Sequence, residues 1–511
     1  MLPLTSGGSS HSVALADERA TERLVVDIAA MLEPGDLVTL SGDLGAGKTT
    51  FARAMIRHLA GDPSLSVPSP SFTLMQTYEL PRLTVVHADL YRLDGPGELA
   101  ELGFDDLPKD AIVLLEWPDR AAGFLPASRL DVAFSLAPQR GPEYRNARVT
   151  GYGAFAARAE RIAAIRRFLD STGYATAERK RIQGDASTRS YERLKVGDHI
   201  AILMNSPRRP DGPPVRDGKP YSAIAHLAED VKAFVAMAHG LRHYSFSAPH
   251  IYEADVEEGL LIIEDLGNGL VVEGEPPEPI EARYRAATDV LVELHSQALP
   301  DTLPVSPHVE HKLPRYDMDA LLIEVELLLD WYLPSLGAAI PESTRAAYVA
   351  LWREALDVIK DNNLSWVLRD YHSPNLLWLP DRHGSARIGL LDFQDAVMGP
   401  AAYDLASLLQ DARVDVPEDL EVSLLSHYVR TRISMDTDFD APAFIRAYAT
   451  LAAQRASKIL GIFARLDRRD GKPQYLRHMP RVWNYLQRSL AHPSLGSLNA
   501  WYIANVPGMK P

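Results

Sequence analysis

The segment Gly42-Asp43-Leu44-Gly45-Ala46-Gly47-Lys48-Thr49 satisfies G-x-x-x-x-G-K-[ST] in full, and no other feature constrains the fold as tightly. It follows Leu37 to Leu40, an apolar run that reads as a strand, and leads into Thr50 to Leu59, which continues as a helix. Such a strand–loop–helix turns successive backbone N–H groups into one hollow at a positive helix N-terminus, a cradle for phosphate oxygens. Lys48 would reach the β- and γ-phosphates and the Thr49 hydroxyl a Mg²⁺ ion, with Gly42, Asp43, Gly45, Ala46, Gly47 and Thr50 around the nucleotide.

A P-loop implies a nucleotide and leaves the function open, so composition is needed to narrow the class. The chain has 511 residues, enough for two to four domains at roughly 150 residues each. It contains no cysteine, which excludes disulfides, thiolate metal sites, cysteine nucleophiles and iron–sulfur clusters. With 53 Lys+Arg against 68 Asp+Glu the net charge is −15, so direct strong nucleic-acid binding is not expected. Met1 to Val13 lacks the basic start and apolar stretch of a signal peptide. The apolar run Ala111 to Leu115 stops at Glu116, and no run of about 18 apolar residues occurs, so no membrane span is expected and a cytoplasmic protein is.

Two blocks emerge along the chain. The first, to about Gly153, alternates apolar runs (Thr84 to His87, Ile112 to Leu115, Leu130 to Phe134) with helical stretches and loops, which is α/β patterning. From Ala154 an Ala/Arg-rich helix opens the second block. There Ile182 to Met204 reads as strand, loop, strand, Pro207 to Pro220 as a surface loop, and helices dominate from Ala282. The expected division is residues 1–155 as a P-loop ATPase domain, 156–270 as a kinase-like N-lobe and 271–511 as a helical C-lobe. The expected fold is therefore an α/β P-loop NTPase domain with a mostly parallel sheet, fused to an α+β, two-lobed, protein-kinase-like domain.

Three further motifs follow the P-loop in order: Ser69-Pro70-Ser71-Phe72-Thr73, His87-Ala88-Asp89-Leu90-Tyr91-Arg92 and Glu116-Trp117-Pro118. Glu116 ends an apolar strand, where a carboxylate can hold Mg²⁺ or orient the attacking water, and Asp89 could supply a second. Ser71 and Thr73 lie in a Pro-punctuated loop suited to sensing a γ-phosphate. Together these segments resemble the small bacterial ATPase subunit of the tRNA threonylcarbamoyladenosine machinery over about residues 10–152, with Ser71 where that family usually has Thr. The resemblance implies an ATPase with weak intrinsic hydrolysis that serves the threonylcarbamoyl-transferase subunits as its partners.

In the second block, Leu368-Arg369-Asp370-Tyr371-His372-Ser373-Pro374-Asn375 keeps the Asp-to-Asn spacing of the kinase catalytic loop H-R-D-x-x-x-x-N. A buried-strand pattern, Ile388 to Leu391, then ends in Asp392-Phe393-Gln394. Phosphoryl transfer needs a carboxylate beside the acceptor hydroxyl and oxygen ligands for Mg²⁺; Asp370, with Asn375 and Asp392, supplies that set in the right order. Upstream, Gly184, Ser187, Thr188 and Arg189 lie in a loop able to cover ATP phosphates. Ile262-Ile263-Glu264-Asp265-Leu266-Gly267 reads as a hinge whose backbone, at Glu264 and Leu266, would meet adenine.

Over about residues 160–500 these motifs, with Tyr403-Asp404-Leu405-Ala406, resemble the aminoglycoside-phosphotransferase superfamily. The nearest branch is the anomeric kinases of N-acetylmuramate and N-acetylglucosamine, enzymes of cell-wall recycling. The resemblance implies ATP and Mg²⁺ as cofactors, a small amino sugar as substrate and Asp370 as the group that accepts the sugar's hydroxyl proton. Leu368 stands where the family usually has His, Thr188-Arg189 where Phe-Arg is commoner, and no lysine occupies the strand Ile200 to Met204. That leaves open a regulatory pseudokinase, or a kinase for another hydroxyl compound such as an aminoglycoside or a choline-like amine. Asp395 is a candidate for a contact with a second metal, with the substrate or only with the backbone. Tyr403-Asp404 is expected to brace the site, Trp331, Trp352 and Trp366 to lie in the core, and Arg465, Arg468 and Arg469 to form a solvated face.

Overall fold

The computed structural model describes residues 8–81, 83–93, 98, 107–121, 123–182, 189–208, 212–361 and 363–507. The chain forms two compact units, residues 1–185 with 191–200, and residues 186–190 with 201–511.

The first unit is built on a seven-stranded sheet. Its elements are β1 (Ser9–Leu15), α1 (Glu18–Ala29), β2 (Leu37–Ser41), α2 (Lys48–Ala60), β3 (Met75–Glu79), β4 (Thr84–Asp89), β5 (Ile112–Glu116), β6 (Arg129–Leu136), β7 (Arg145–Tyr152) and α3 (Phe155–Ser171). The strand order is β1-β7-β6-β2-β5-β4-β3. The centre is parallel, with β2 between β5 and β6 and β4 beside β5, whereas β1, β7 and β3 run antiparallel at the two edges. The sheet is thus mixed, parallel where the P-loop is mounted. The central strand β2 reads as an apolar run except for Thr39 and the terminal Ser41, as strands covered on both faces do. Asp17 caps α1 by accepting a hydrogen bond from the Ala20 N–H at 2.8 Å. The apolar stripe of α2 (Phe51, Ala52, Met55, Ile56) is fully buried against the sheet.

This unit runs past residue 155, the boundary expected from the sequence. Phe155, Ala159 and Ile162 of α3 belong to the same core as α1, α2 and the sheet. The hairpin of β8 (Glu178–Ile182) and β9 (Ser190–Val196) also lies with it: Arg179 pairs with buried Asp27 of α1 and, at 2.8 Å, with Glu192.

In the second unit β10 (His199–Asn205) pairs antiparallel with Leu260–Glu264, which in turn pairs with Ile251–Asp255. The remainder is mainly helical and centres on the 28-residue helix Ala441–Arg468. Two short antiparallel pairs hold the loops that matter for chemistry: Leu364–Val367 with Val397–Pro400, and Leu376–Trp378 with Ile388–Leu390. Trp352 and Trp366 are fully buried, as expected. No helix among the described residues is long and apolar enough to cross a membrane.

Gly461 sets how closely the long helix approaches the helix Met318–Leu327, because a Cβ at this position would overlap the Leu327 backbone. Gly461→Ala should destabilise the protein by about 1–3 kcal/mol net, since overpacking outweighs the roughly 1 kcal/mol of helix propensity that alanine gains. Urea unfolding checks this, and a midpoint equal to or above wild type contradicts it.

Candidate functional site

The first cluster lies where the parallel strands of the first unit end, the edge at which open α/β sheets bind ligands. Register places Glu116 opposite both Leu40 and Asp89, so the end of β2, Glu116 and Asp89 meet on one side of the sheet. Gly42, at φ 130°, passes so close to the Phe134 carbonyl that any Cβ would overlap it, and Gly47 precedes α2 at φ 111°, in the left-handed region. Lys48 opens α2 and is buried. Its Nζ donates to the carbonyls of Gly42 at 2.7 Å and Asp43 at 2.9 Å and sits 3.8 Å from the centre of the Trp117 ring. Burial lowers the Lys48 pKa, against the raising pull of Glu116, Asp89 and Asp43.

The Thr49 hydroxyl donates to Glu116 Oε2 at 2.9 Å, and buried His87 holds the other oxygen at 2.9 Å through Nε2. Asp89 accepts from the Tyr91 N–H at 3.0 Å and the Ser69 hydroxyl at 3.4 Å. Gly45 and Asp43 are exposed on the loop, and Ala46 is buried behind it. Ser71 and Thr73 sit in the turn before β3, where their side chains make no hydrogen bond among the described residues. Thr50 stands apart from this cluster and lines a hollow of about 400 Å³ with Glu22 and Arg53.

The second cluster grows from the turn that follows Leu364–Val367. Buried Asp404 accepts the N–H groups of Leu368 at 2.6 Å and Arg369 at 2.9 Å, which shapes the backbone just before Asp370. Asp411 accepts both the N–H and the hydroxyl of Ser373, at 2.8 and 2.5 Å. Carboxylates therefore clamp the loop on either side of Asp370. The buried Arg369 guanidinium pairs with Glu324 and donates to the Ala225 carbonyl at 2.7 Å.

Asn375 Nδ2 donates to the Asp370 carbonyl at 3.0 Å and reaches Asp392 Oδ2 at 3.5 Å. Asp392, at φ 58°, accepts from Arg189 and from Gln394, both at 2.9 Å. Asp370, Asn375, Asp392 and Arg189 are thus brought together. Burial works against ionisation of Asp370, but His372, Lys458, Arg455 and Arg369 outweigh it and hold the carboxyl below its ordinary value. The Glu264 carboxylate is engaged by Arg382 at 2.6 Å and the His250 N–H at 3.0 Å, while Leu266 packs on Leu377 and Leu379 beneath the Asp392 hairpin. Gly184, Ser187 and Thr188 lie outside the described residues.

Both donor sets are oxygen-rich, as Mg²⁺ prefers. Such sites use one or two carboxylates together with substrate phosphates. The residues therefore fit the ion, although no group of three His, Asp or Glu forms an all-protein cage among the described residues.

Lys458 and Arg455 escaped the sequence reading. They stand on the long helix, and their charges bear on Asp370. Positions 455, 458, 465 and 469 share one helical face, and this spacing was the available signal. Arg465 is not on a solvated face: it lines a cavity of about 810 Å³ with Arg189, Tyr221, Gln394 and Asp395.

These sites and folds define a P-loop ATPase unit joined to a kinase-like phosphotransferase unit. The chain belongs to the phosphotransferase enzyme family, which matches residues 178–448, and residues 15–144 match the family of the threonylcarbamoyl adenosine biosynthesis protein TsaE. It is 38% identical to the N-acetylmuramate/N-acetylglucosamine kinase of Caulobacter vibrioides over 68% of this chain and 97% of that protein. The identically named kinase of Pseudomonas aeruginosa is 31% identical over 63% of this chain and 87% of its own length. The tRNA threonylcarbamoyladenosine biosynthesis protein TsaE of Rickettsia bellii is 39% identical over 24% of this chain and 84% of its own length. The chain therefore joins a TsaE-like domain to an anomeric-sugar-kinase-like domain, and both belong to ATP-using enzyme families.

Burial pushes the Asp404 carboxyl up to about 7, against the lowering effect of its two backbone donors. Its folded value lies above the unfolded one near 3.8, so its stability contribution is complete below pH 4 and lost as pH rises towards 7. Asp404→Asn keeps one acceptor oxygen and should cost about 1–3 kcal/mol through the unpaired N–H. The wild-type advantage over this variant, followed by urea unfolding, should shrink from pH 4 to pH 7. An advantage that grows over that range contradicts the assignment.

Proposed function

We propose that the chain is a bifunctional enzyme: an ATPase supporting threonylcarbamoyladenosine modification of tRNA, and a kinase that phosphorylates the anomeric hydroxyl of an amino sugar. The single observation that carries the kinase half is Asn375, whose amide reaches both the Asp370 backbone and the Asp392 carboxylate, so that the turn holding the proposed base adjoins the proposed metal-binding carboxylate. In this reading Asp370 orients the anomeric hydroxyl and takes its proton, ready to do so because the neighbouring cations favour its ionised form. The sugar oxygen bonds to the γ-phosphorus as the bond from that phosphorus to ADP breaks. An anomeric hydroxyl is more acidic than an ordinary alcohol, so modest base assistance suffices.

Asn375 and Asp392 would hold Mg²⁺, which supplies neutralisation of phosphate charge. Arg189 takes the place of the strand lysine that kinases of this kind commonly carry, and its bond to Asp392 supports that role. With an intact set of chemical groups, a pseudokinase is the weaker reading. Residues 271–511 serve as the helical lobe, and the backbone at Glu264 and Leu266 meets adenine.

In the ATPase half, the N–H groups from Gly42 to Thr50 would cradle the phosphates with Lys48 bridging them, while Thr49, Glu116 and Asp89 would hold Mg²⁺ and orient the attacking water. Ser71 and Thr73 sense the γ-phosphate. The threonylcarbamoyl-transferase subunits are the partners and the cytoplasm is the site of action.

The test is ATP turnover by the full chain with a panel of sugars, the site of phosphorylation being read by NMR. Asp370→Asn should lower sugar phosphorylation by about 10²- to 10⁴-fold. Lys48→Ala should remove sugar-independent ATP hydrolysis and leave sugar phosphorylation within about twofold. ATP binding without transfer to any sugar would defeat the kinase reading.

A further inference from the structure

Among the described residues, Arg465 Nε and Gln394 Oε1 are buried polar atoms without hydrogen-bond partners, and both side chains line the cavity beside the kinase-like cluster. Buried polar atoms are nearly always paired, so two orphans of opposite kind in one hollow point to a ligand bearing both an acceptor and a donor. Gln394 is 5% exposed, and its amide nitrogen is already committed to Asp392 at 2.9 Å, so its oxygen is the atom left to accept a hydrogen bond.

The other cations lining the cavity are already paired. Arg189 is bound to Asp392, Arg216 to Glu326 at 2.7 Å, and Arg469 to Asp470 at 2.7 Å. Among the described residues no carboxylate comes within ion-pairing distance of Arg465, whose guanidinium lies 5.3 Å from the centre of the Tyr221 ring. Tyr221 is kept neutral by burial, its pKa pushed up to about 12, so it does not neutralise the arginine.

Placement agrees with a sugar-sized ligand. Arg465 lies seven residues along the helix from Lys458, about 10 Å at 1.5 Å per residue, and the Lys458 charge bears on Asp370. Arg465 therefore stands on the same helix as a cation that acts on Asp370, in a cavity of about 810 Å³. Resting on the kinase reading above, we propose that Arg465 is a specificity residue that binds the carboxylate of an acidic N-acyl amino sugar. Gln394 Oε1 accepts the sugar's amide N–H in the same cavity. Guanidinium is suited to carboxylate because its donors match the two oxygens in one plane.

The experiment compares N-acetylmuramate, its neutral methyl ester and N-acetylglucosamine as substrates of the full chain, for wild type, Arg465→Ala and Arg465→Lys. Wild type should use the acid at least about tenfold better than the ester in kcat/KM, as expected for a charge-assisted hydrogen bond. Arg465→Ala should raise KM for the acid about tenfold or more with little change in kcat, and should no longer separate acid from ester. It should leave N-acetylglucosamine within about twofold, while Arg465→Lys restores part of the preference for the acid. Equal losses on all three sugars would mark Arg465 as structural and overturn the proposal. Should Arg465→Ala fail to fold, the wild-type comparison decides alone, because equal use of acid and ester also overturns it. If wild type phosphorylates none of the three sugars, the kinase reading itself falls and takes the proposal with it.

Discussion

Glu324 has no solvent exposure, and the kinase-like unit is assembled around its carboxylate. One oxygen pairs with Arg369 and, at 2.8 Å, with Lys458; the other accepts from Tyr316 and, at 3.0 Å, from Gln454. Burial alone would keep this carboxyl protonated, but Lys458 and Arg369 overturn that and hold it down to about 2. The consequence is geometric: the residue before Asp370 and two positions on the long helix are tied to one point. A buried charge left without its partners is costly, so the three elements must fold together or not at all. The pair has a second effect, since Arg369 and Lys458 also project positive potential onto Asp370. The group that anchors the loop thereby fixes cations that keep Asp370 ionised.

The same economy explains why Leu368 can stand where kinases carry histidine. A histidine there can anchor the loop through its side chain, whereas here Asp404 holds the backbone N–H groups of positions 368 and 369 directly. Leu368 is left to pack, 3% exposed, in the core. In the first unit the constraint comes from strand register. Parallel pairing of β4, β5 and β2 puts Asp89, Glu116 and the start of the P-loop at equivalent positions, so three segments distant in sequence need only the hydrogen-bond ladder to converge. His87, Glu116 and Thr49 then form a chain that keeps the threonine hydroxyl turned towards the carboxylate.

Much of this was legible in the sequence because the chemistry sits in contiguous motifs. Gly42 to Thr49 and Asp370 to Asn375 are single turns whose geometry is set locally, and Asp392 follows a recognisable strand. What could not be read depends on partners supplied from afar. The first block was expected to end near residue 155, yet the buried residues of α3 run round the helix and commit it to no single neighbour by pattern, and only packing shows that Phe155, Ala159 and Ile162 join the first core. Arg465 was expected on a solvated face, because a charged residue on a helix has the same pattern whether it meets water or a cavity wall. Glu324 and Lys458 lie 134 residues apart, and nothing local in either segment announces the pair. Gln394 was seen only as the residue beside the Asp392 motif, since its value lies in which of its two atoms is already used.

In each unit the cation proposed to meet phosphate is already held by the protein. Lys48 is bound by two carbonyls of its own loop and covered by Trp117, and Arg189 is bound by Asp392. A phosphate entering either site must displace those partners, so the gain on binding is the difference between two sets of contacts and not the full Coulomb attraction. Such self-association also prevents a buried, unpaired cation from destabilising the empty protein. For Arg189 the exchange would have a chemical direction in the proposed reading, because releasing it would free the Asp392 carboxylate proposed to hold Mg²⁺. Under that reading nucleotide binding and release of the Asp392 carboxylate would be coupled, which would favour the metal-bound nucleotide over free nucleotide or free ion alone.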